Sequence, residues 1–323
     1  MLRNFSTPCL NTKVFAIYHT YVKVPKTGSS VIASVLERIS RTTIYNKTCS
    51  LMYKHNDRFT FSHRNKDKSI MIGSLRDPIK RGISRAYFKS KPNFNFTDER
   101  ILKALKNSHQ QLGVLTKGKG GFQLNYMMLD KIPKYSTNTT NGIPKYRVIQ
   151  SYVKKVMDDY HYIFLNERLD EGLVVLKYLF NLRTSDLLYL SSKVSGGYYA
   201  WPSTNKCIQL TKNKTILSSP TISSFVYSNE WYSKNYGDYL LYSVANKSLD
   251  LTIESIGKEE FNQTLHDFLS LRRLVEDKCG PKTIFPCDLN GVFHNESRKN
   301  CYWNDIGCGW PCFDQFINHT LDK

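Results

Sequence analysis

Residues 21–30 read YVKVPKTGSS. The segment before them, KVFAIYHTYVKV from 13 to 24, is β-branched and aromatic and stops at Pro25, which predicts a strand. The segment after the loop, SSVIASVLERIS from 29 to 40, carries a helical repeat that places Val31, Ile32, Val35, Leu36 and Ile39 on one face. A strand, a loop of small residues and a helix make an anion-binding unit, because free amides and the helix dipole both favour a phosphate at the helix N-terminus. Gly28 lets the backbone approach closely, Thr27, Ser29 and Ser30 add hydroxyl donors, and Lys26 stands at the mouth of the loop. In the usual nucleotide-triphosphate loop the lysine follows the last glycine and precedes Ser or Thr. Here the lysine comes first. For this loop alone, an ordinary βα turn with a solvated lysine is the alternative.

Two similar units follow. SIMIGSL (69–75) leads through RDP into IKRGISRAYF (79–88), with Asp77 placed to cap the helix and Pro78 suited to its first turn. HYIFLNE (161–167) leads into RLDEGLVVLKYLFNL (168–182). Strands alternating with helices predict an α/β fold with a central parallel sheet flanked by helices. In the second unit Arg76 ends the strand, and Ser84 follows about two helical turns later. A guanidinium and a hydroxyl facing one sheet edge would make a second phosphate site. Two such sites on neighbouring strand ends suit a nucleotide phosphorylated at both its 5′ and 3′ positions. Between the second and third units, 115–126 and 134–146 are rich in Gly, Lys, Asn and Thr and predict loops beside the site. Gly120, Gly121 and Gln123 are candidates for lining a base pocket, with a plain glycine loop as the alternative. Residues 229–256 predict helices with aromatic anchors.

A chain of 323 residues, 41% hydrophobic and 13% aromatic, is long enough to bury a sizeable core. It lacks a run of about 18 apolar residues, so no membrane span is expected. The opening MLRNFSTPCLNTKVF does not have the apolar core of a signal peptide. Forty-six Lys and Arg against 27 Asp and Glu leave a formal charge of +19, which favours polyanionic partners such as nucleic acid, anionic glycans, acidic lipid head groups or a multiply phosphorylated cofactor, with a generally solvated basic surface as the alternative. Neither a zinc-finger spacing nor an RNA-binding aromatic signature occurs, so nucleic acid is not the expected partner.

Five of the eight cysteines, Cys279, Cys287, Cys301, Cys308 and Cys312, crowd the C-terminal end. Nine Asn-x-Ser/Thr sequons stand at Asn4, Asn46, Asn95, Asn138, Asn213, Asn246, Asn262, Asn295 and Asn318; composition alone would give about four. Together they predict a glycoprotein in an oxidising lumen. The expected organisation is one domain over 1–275 and a cysteine-rich, disulfide-stapled extension over 276–323. Cys301, Cys308 and Cys312 have no paired C-x-x-C spacing, so disulfides are expected there rather than zinc, with Cys207 a candidate partner for one tail cysteine.

These motifs carry a resemblance. VPKTGSS (24–30) resembles the 5′-phosphosulfate loop of PAPS-dependent sulfotransferases, and LRDPIKRGISRAYF (75–88) resembles their 3′-phosphate motif, PAPS being 3′-phosphoadenosine 5′-phosphosulfate. Within that superfamily the chain is most similar to the Golgi carbohydrate sulfotransferases, especially the galactose-3-O-sulfotransferase and galactosylceramide sulfotransferase group. FLNERLDEGLVVLKYLFNL (164–182), LLYLSSKVS (187–195) and DYLLYSVANKSLD (238–250) are similar to later segments of that group. The likeness runs from about Val14 to about Ile256 and leaves the cysteine-rich tail outside. It implies a P-loop-like sheet and transfer of a sulfuryl group from PAPS to a sugar hydroxyl of a glycan or glycolipid, with no metal. It also implies the Golgi lumen, where family members are usually held by an N-terminal anchor that these residues do not contain.

By the same resemblance Lys26, Thr27, Gly28, Ser29 and Ser30 would hold the 5′-phosphosulfate, while Arg76 and Ser84 would hold the 3′-phosphate. Lys26 would also balance charge on the bridging oxygen as the sulfuryl group leaves. The family uses His or Glu as base. His63, just before the strand that leads to Arg76, is the preferred candidate, with His55 and Asp57 as rivals. Two other functions fit parts of the sequence. One is a non-catalytic basic glycan-binding protein on the same fold. The other is a kinase, for which the glycine-then-lysine loop and a magnesium carboxylate are missing.

Overall fold

The computed structural model describes residues 17–41, 49–54, 69–90, 97–107, 121–128, 139–140, 143–144, 146–190, 197–201, 205–209, 217–302 and 306–320. The first half runs β1 (Ile17–Val22), α1 (Ser29–Arg41), β2 (Cys49–Lys54), β3 (Ser69–Leu75), α2 (Pro78–Ser90), α3 (Asp98–Asn107), α4 (Phe122–Met127), β4 (Thr139–Thr140), β5 (Ile143–Pro144) and α5 (Tyr146–Asp159). Then come β6 (Tyr162–Leu165), a 3-10 turn (Asn166–Arg168), α6 (Leu169–Phe180), a second 3-10 turn (Thr184–Leu187) and the hairpin β7 (Tyr198–Trp201) and β8 (Lys206–Gln209). The last stretch holds α7 (Pro220–Val226), α8 (Asn229–Ile256), α9 (Lys258–Cys279), a 3-10 turn (Asn295–Lys299) and α10 (Trp310–Thr320).

The central sheet has four parallel strands in the order β2–β1–β3–β6. All seven residues of β3 are buried, which is why SIMIGSL reads as an unbroken run with little alternation. From β1 the chain steps outward to β2, returns past β1 to β3 and continues outward to β6. Strand order therefore reverses between β1 and β3. In open parallel sheets the ligand crevice lies beyond the carboxyl ends of the strands at such a reversal. The loops after β1 and β3 are the two that the sequence singled out.

The sequence predicts one apolar stripe on α1, but every residue from Ile32 to Ser40 is buried. The cause is a second cover besides the sheet, made by the 3-10 turn at Thr184–Leu187 together with the cysteine-rich tail. Gly307 N–H donates to Ser34 Oγ at 2.9 Å. Arg38 donates to the Ser185 carbonyl at 2.7 Å and to Asp314 at 2.9 Å, so its buried charge is paired and hydrogen-bonded. Arg41 lies over the Tyr302 ring, 3.9 Å from its centroid. Cys279, Ile306, Phe313 and Ile317 join the same core as the sheet residues Tyr21, Met71 and Phe164.

Disulfides Cys207–Cys287, Cys279–Cys312 and Cys301–Cys308 staple this region. All five tail cysteines are paired, one of them with Cys207, as the sequence leads one to expect. Such bonds persist in oxidising compartments, secreted or lumenal. Among the described residues no helix is long and apolar enough to cross a membrane.

The 229–256 segment forms one continuous helix of 28 residues, capped by Ser228, whose Oγ accepts the Trp231 N–H at 3.2 Å. Trp231 is fully buried against α2 at Gly82, where a Cβ would lie 2.5 Å from the indole. This contact sets α8 beside the second loop.

Candidate functional site

The loop after β1 is built from alternating backbone conformations. Lys26 has φ 73° and Gly28 φ 72°, while Thr27 between them is not left-handed. Such alternation turns successive amides toward one concave face, an anion nest, here at the N-terminus of α1. The first amide of α1 with a backbone acceptor is that of Val31, bonded to the Gly28 carbonyl at 3.1 Å. The amides of Ser29 and Ser30 precede it and stay available. Holding a lysine left-handed costs on the order of 1–2 kcal/mol, a strain of the kind that collects at functional sites.

Thr27 faces the other way. Its Oγ1 donates to the Val24 carbonyl at 2.8 Å, so toward Ser74 Oγ, 2.6 Å away, it can only accept. Ser74 has then spent its proton, and Tyr21, at 2.9 Å, donates to it. The relay Tyr21–Ser74–Thr27–Val24 is fully buried, and burial pushes the Tyr21 hydroxyl far above its ordinary pKa. The Thr27 hydroxyl thus bolts β1 to β3 and is not offered to a ligand; only its amide belongs to the nest. Ser29 is also buried, and Ser30 is the partly exposed hydroxyl of the loop.

The loop after β3 is made differently. Asp77 caps α2 by accepting the Lys80 N–H at 2.9 Å, with Pro78 in the first turn as expected. The Arg76 N–H goes to Gln123 Oε1 at 2.9 Å, and the Arg76 carbonyl accepts from Gln123 Nε2 at 2.8 Å. The Asp77 N–H goes to Glu167 Oε2 at 3.1 Å. Pro78 has no N–H, so no backbone N–H from Arg76 to Pro78 is left for a ligand. The first loop works with amides, the second with a guanidinium.

Arg76 also joins the two loops, since its Nη1 donates to the Lys26 carbonyl at 3.3 Å. The guanidinium lies 3.7 Å from Glu167, and its Nε is buried without a hydrogen-bond partner. Burial lowers the Arg76 pKa, against the opposing pull of Glu167 and Asp77. Farther along α2, Arg81, Ser84, Arg85 and Phe88 share one helical stripe. Ser84 is partly exposed on that stripe. At its far end the Lys26 ammonium stands 5.0 Å from the Phe88 ring centroid, within cation–π reach. Arg81 and Arg85 lie 4.2 Å and 4.4 Å from the centroid of Phe122. Arg81 is fully buried, and none of its three guanidinium nitrogens has a hydrogen-bond partner. Burial brings its pKa down to about 10, with Asp238 opposing.

The end of β6 closes the third side. Asn166 sits on Gly28, where a Cβ would meet its Oδ1 at 2.1 Å. Glu167 Oε2 accepts from Tyr242 at 3.1 Å as well as from Asp77. Arg168 binds Glu171, Asn246 at 3.0 Å and Asp250 at 2.5 Å. Four positions on one stripe of α8 therefore brace the site from behind: Asp238 through α4, Tyr242 through Glu167, and Asn246 with Asp250 through Arg168.

The structure brings Lys26, Thr27, Gly28, Ser29, Ser30 and Arg76 to one edge of the sheet, while Ser84 lies two turns into α2 on a partly exposed position. Gln123 is turned inward onto the Arg76 backbone and does not line an open pocket. His63, its rivals His55 and Asp57, and Gly120 lie outside the described residues. Glu167, Asp238, Tyr242 and Arg81 went unnoticed in the sequence. A signal was there for Glu167, in the Asn-Glu-Arg that ends a strand beside two anion motifs. Asp238 and Tyr242 lie about one helical turn apart, but nothing local says what they face. Among the described residues no group of three or more His, Cys, Asp or Glu could hold a metal ion. The chain matches no family model, no curated protein and no solved structure with which it was compared.

Proposed function

We propose that the protein is a PAPS-dependent carbohydrate sulfotransferase with a P-loop-like sheet, acting in the Golgi lumen on a glycan or glycolipid. The observation that carries this is the contact of the two loops: Arg76 Nη1 on the Lys26 carbonyl, at the ends of the two strands where sheet order reverses. One ligand with two anionic groups can then touch an amide nest and a guanidinium at once. The residues fit such a nucleotide in one further way: the nest closes at Gly28, where a Cβ would collide.

When bound, the nucleotide supplies the activated sulfuryl group. The nest amides and Ser30 would hold its 5′ side, Arg76 and Ser84 its 3′-phosphate. Lys26 would place positive charge at the oxygen that departs, an interaction strongest in the transition state. An acceptor hydroxyl would lose its proton to a base, for which His63 is proposed on sequence grounds.

The test is direct. In a thermal-shift series, 3′,5′-bisphosphoadenosine should raise the melting temperature. Stabilisation by ATP with magnesium instead would point to a kinase, and by sulfated glycan alone to a glycan-binding protein. Labelled PAPS over a panel of glycans should then transfer label to at least one acceptor. Arg76→Ala should chiefly weaken nucleotide binding, and His63→Ala should lower turnover with affinity retained; normal sulfation by the latter would turn attention to His55 or Asp57.

A further inference from the structure

Gln123 is fully buried, so it touches no ligand, yet it holds both backbone groups of Arg76. Arg76 lies one residue beyond the last ladder pair of β3, Leu75 with Leu165. Its N–H and C=O have left the sheet but remain inside the protein, where an unmatched pair would be costly. A primary amide offers a donor and an acceptor in one plane, spaced as in a peptide group. Gln123 thus does for Arg76 what a neighbouring strand would do.

Gln123 is itself fixed from α8. The two carboxylate oxygens of Asp238 accept the Gln123 N–H at 3.0 Å and the Leu124 N–H at 2.9 Å. Gly121, with φ 87°, lets the chain enter α4 against this carboxylate; a Cβ there would lie 2.3 Å from Asp238 Oδ1. Burial weakens the acidity of Asp238, while Arg81 and the amides of α4 pull the other way. The buried, otherwise unpaired Arg81 is thereby given a purpose as the counter-charge of this anchor.

We propose that Gln123, anchored by Asp238, is a positioning residue that fixes the Arg76 guanidinium where it meets the Lys26 loop. This rests on the site reading above. Arg76 reaches the anion site from a backbone with no strand beside it, and displacements of about 1 Å at such sites can cost about 100-fold.

The test uses the full chain, 3′,5′-bisphosphoadenosine as probe and two variants of one position. Gln123→Leu removes both bonds and will also destabilise the fold. The remote core variant Val275→Ala in α9, fully buried in the parent protein, serves as the stability control. Gln123→Leu should weaken binding about 10-fold or more and speed amide exchange at Arg76, with neither change in Val275→Ala. Gln123→Glu separates positioning from packing. A neutral carboxylic acid offers one donor and one acceptor, as the amide does, whereas a carboxylate only accepts. The charged groups around position 123 are Arg76, Arg81, Asp238 and, beyond Arg76, Glu167. Affinity relative to the parent protein should therefore fall as pH rises between about 5 and 8, where the amide shows no such titration.

Binding by Gln123→Leu as tight as by the control, or a flat Gln123→Glu ratio, would overturn the proposal. Failure of the parent protein to bind the probe counts against the sulfotransferase reading instead. The clamp is then judged by exchange alone: unchanged protection of the Arg76 amide in Gln123→Leu overturns it, and faster exchange supports it.

Discussion

Adding one methyl group at residue 28 tests the first loop most directly. Gly28→Ala keeps a left-handed conformation that costs an L-residue about 1–2 kcal/mol. The new Cβ would also stand 2.1 Å from Asn166 Oδ1 and 3.3 Å from its Cγ, both on a side chain that can rotate away. Driving Asn166 off its preferred rotamer costs about 1 kcal/mol. The expected loss is the sum, about 2–3 kcal/mol, or just under about 1 M in urea midpoint for a slope near 3 kcal/mol/M. The two parts separate in a double-mutant cycle. In an Asn166→Ala background the same methyl meets no amide oxygen, so only the backbone part should remain, with a coupling of about 1 kcal/mol. In both backgrounds bisphosphoadenosine binding should weaken only as far as Gly28→Ala takes the backbone out of the left-handed conformation that the nest needs at 26 and 28. An unchanged urea midpoint for Gly28→Ala, or a double variant no better than the additive sum, would show that Asn166 does not close the loop.

Three further outcomes are expected. Lys26→Gly should relieve backbone strain and melt no lower than Lys26→Ala while both lose sulfuryl transfer; equal strain in the two, seen as Lys26→Gly melting lower, would contradict the nest geometry. Removing Cys207–Cys287, which spans 80 residues, should cost about 4–5 kcal/mol by loop entropy, against about 2–3 kcal/mol for Cys301–Cys308, which spans 7; denaturant titration of the paired Ser variants gives the order. His294 carries a raised pKa, first through its hydrogen bond to Asp288 and then through Glu296. Its contribution is therefore complete below its unfolded value of about 6.5 and lost as pH rises through the folded one. His294→Gln should flatten that segment of the melting-temperature profile, and a profile identical to the parent protein's would rule the contribution out.

What the sequence disclosed was local. The strand-loop-helix units, the Asp77 cap and Pro78 were legible because each is written within a dozen residues, and the parallel sheet followed from their alternation. Cysteine crowding foretold the stapled tail. The hydroxyl of Thr27 could not be placed, because its direction depends on Ser74, which is 47 residues away. The clamp on Arg76 was hidden for the same reason, since Gln123 lies 47 residues on and Asp238 a further 115. The stripe on α1 understated its burial because the covering layer comes from the other end of the chain. Strand β2, CSLMYK, gave no clear signal: it is short, mixed in polarity and defined by pairing with β1.

The same covering layer bears on how the protein is made. The helix whose first turn forms the anion nest completes its surroundings through Ser34 to Gly307 and Arg38 to Asp314, partners 273 and 276 positions later. During synthesis that helix must wait, half-clothed, until residues 307–314 have been delivered, and loop closure over such a span is slow. Nascent chains that stop short of residue 300 would leave Ser34 without Gly307 and Arg38 without Asp314, with Ser185 its remaining partner, and part of the back of α1 open to chaperones and to other unfinished chains. Maturation of the site at the front of the molecule is thereby tied to the arrival of residues 301–314 and to the closing of their cross-links.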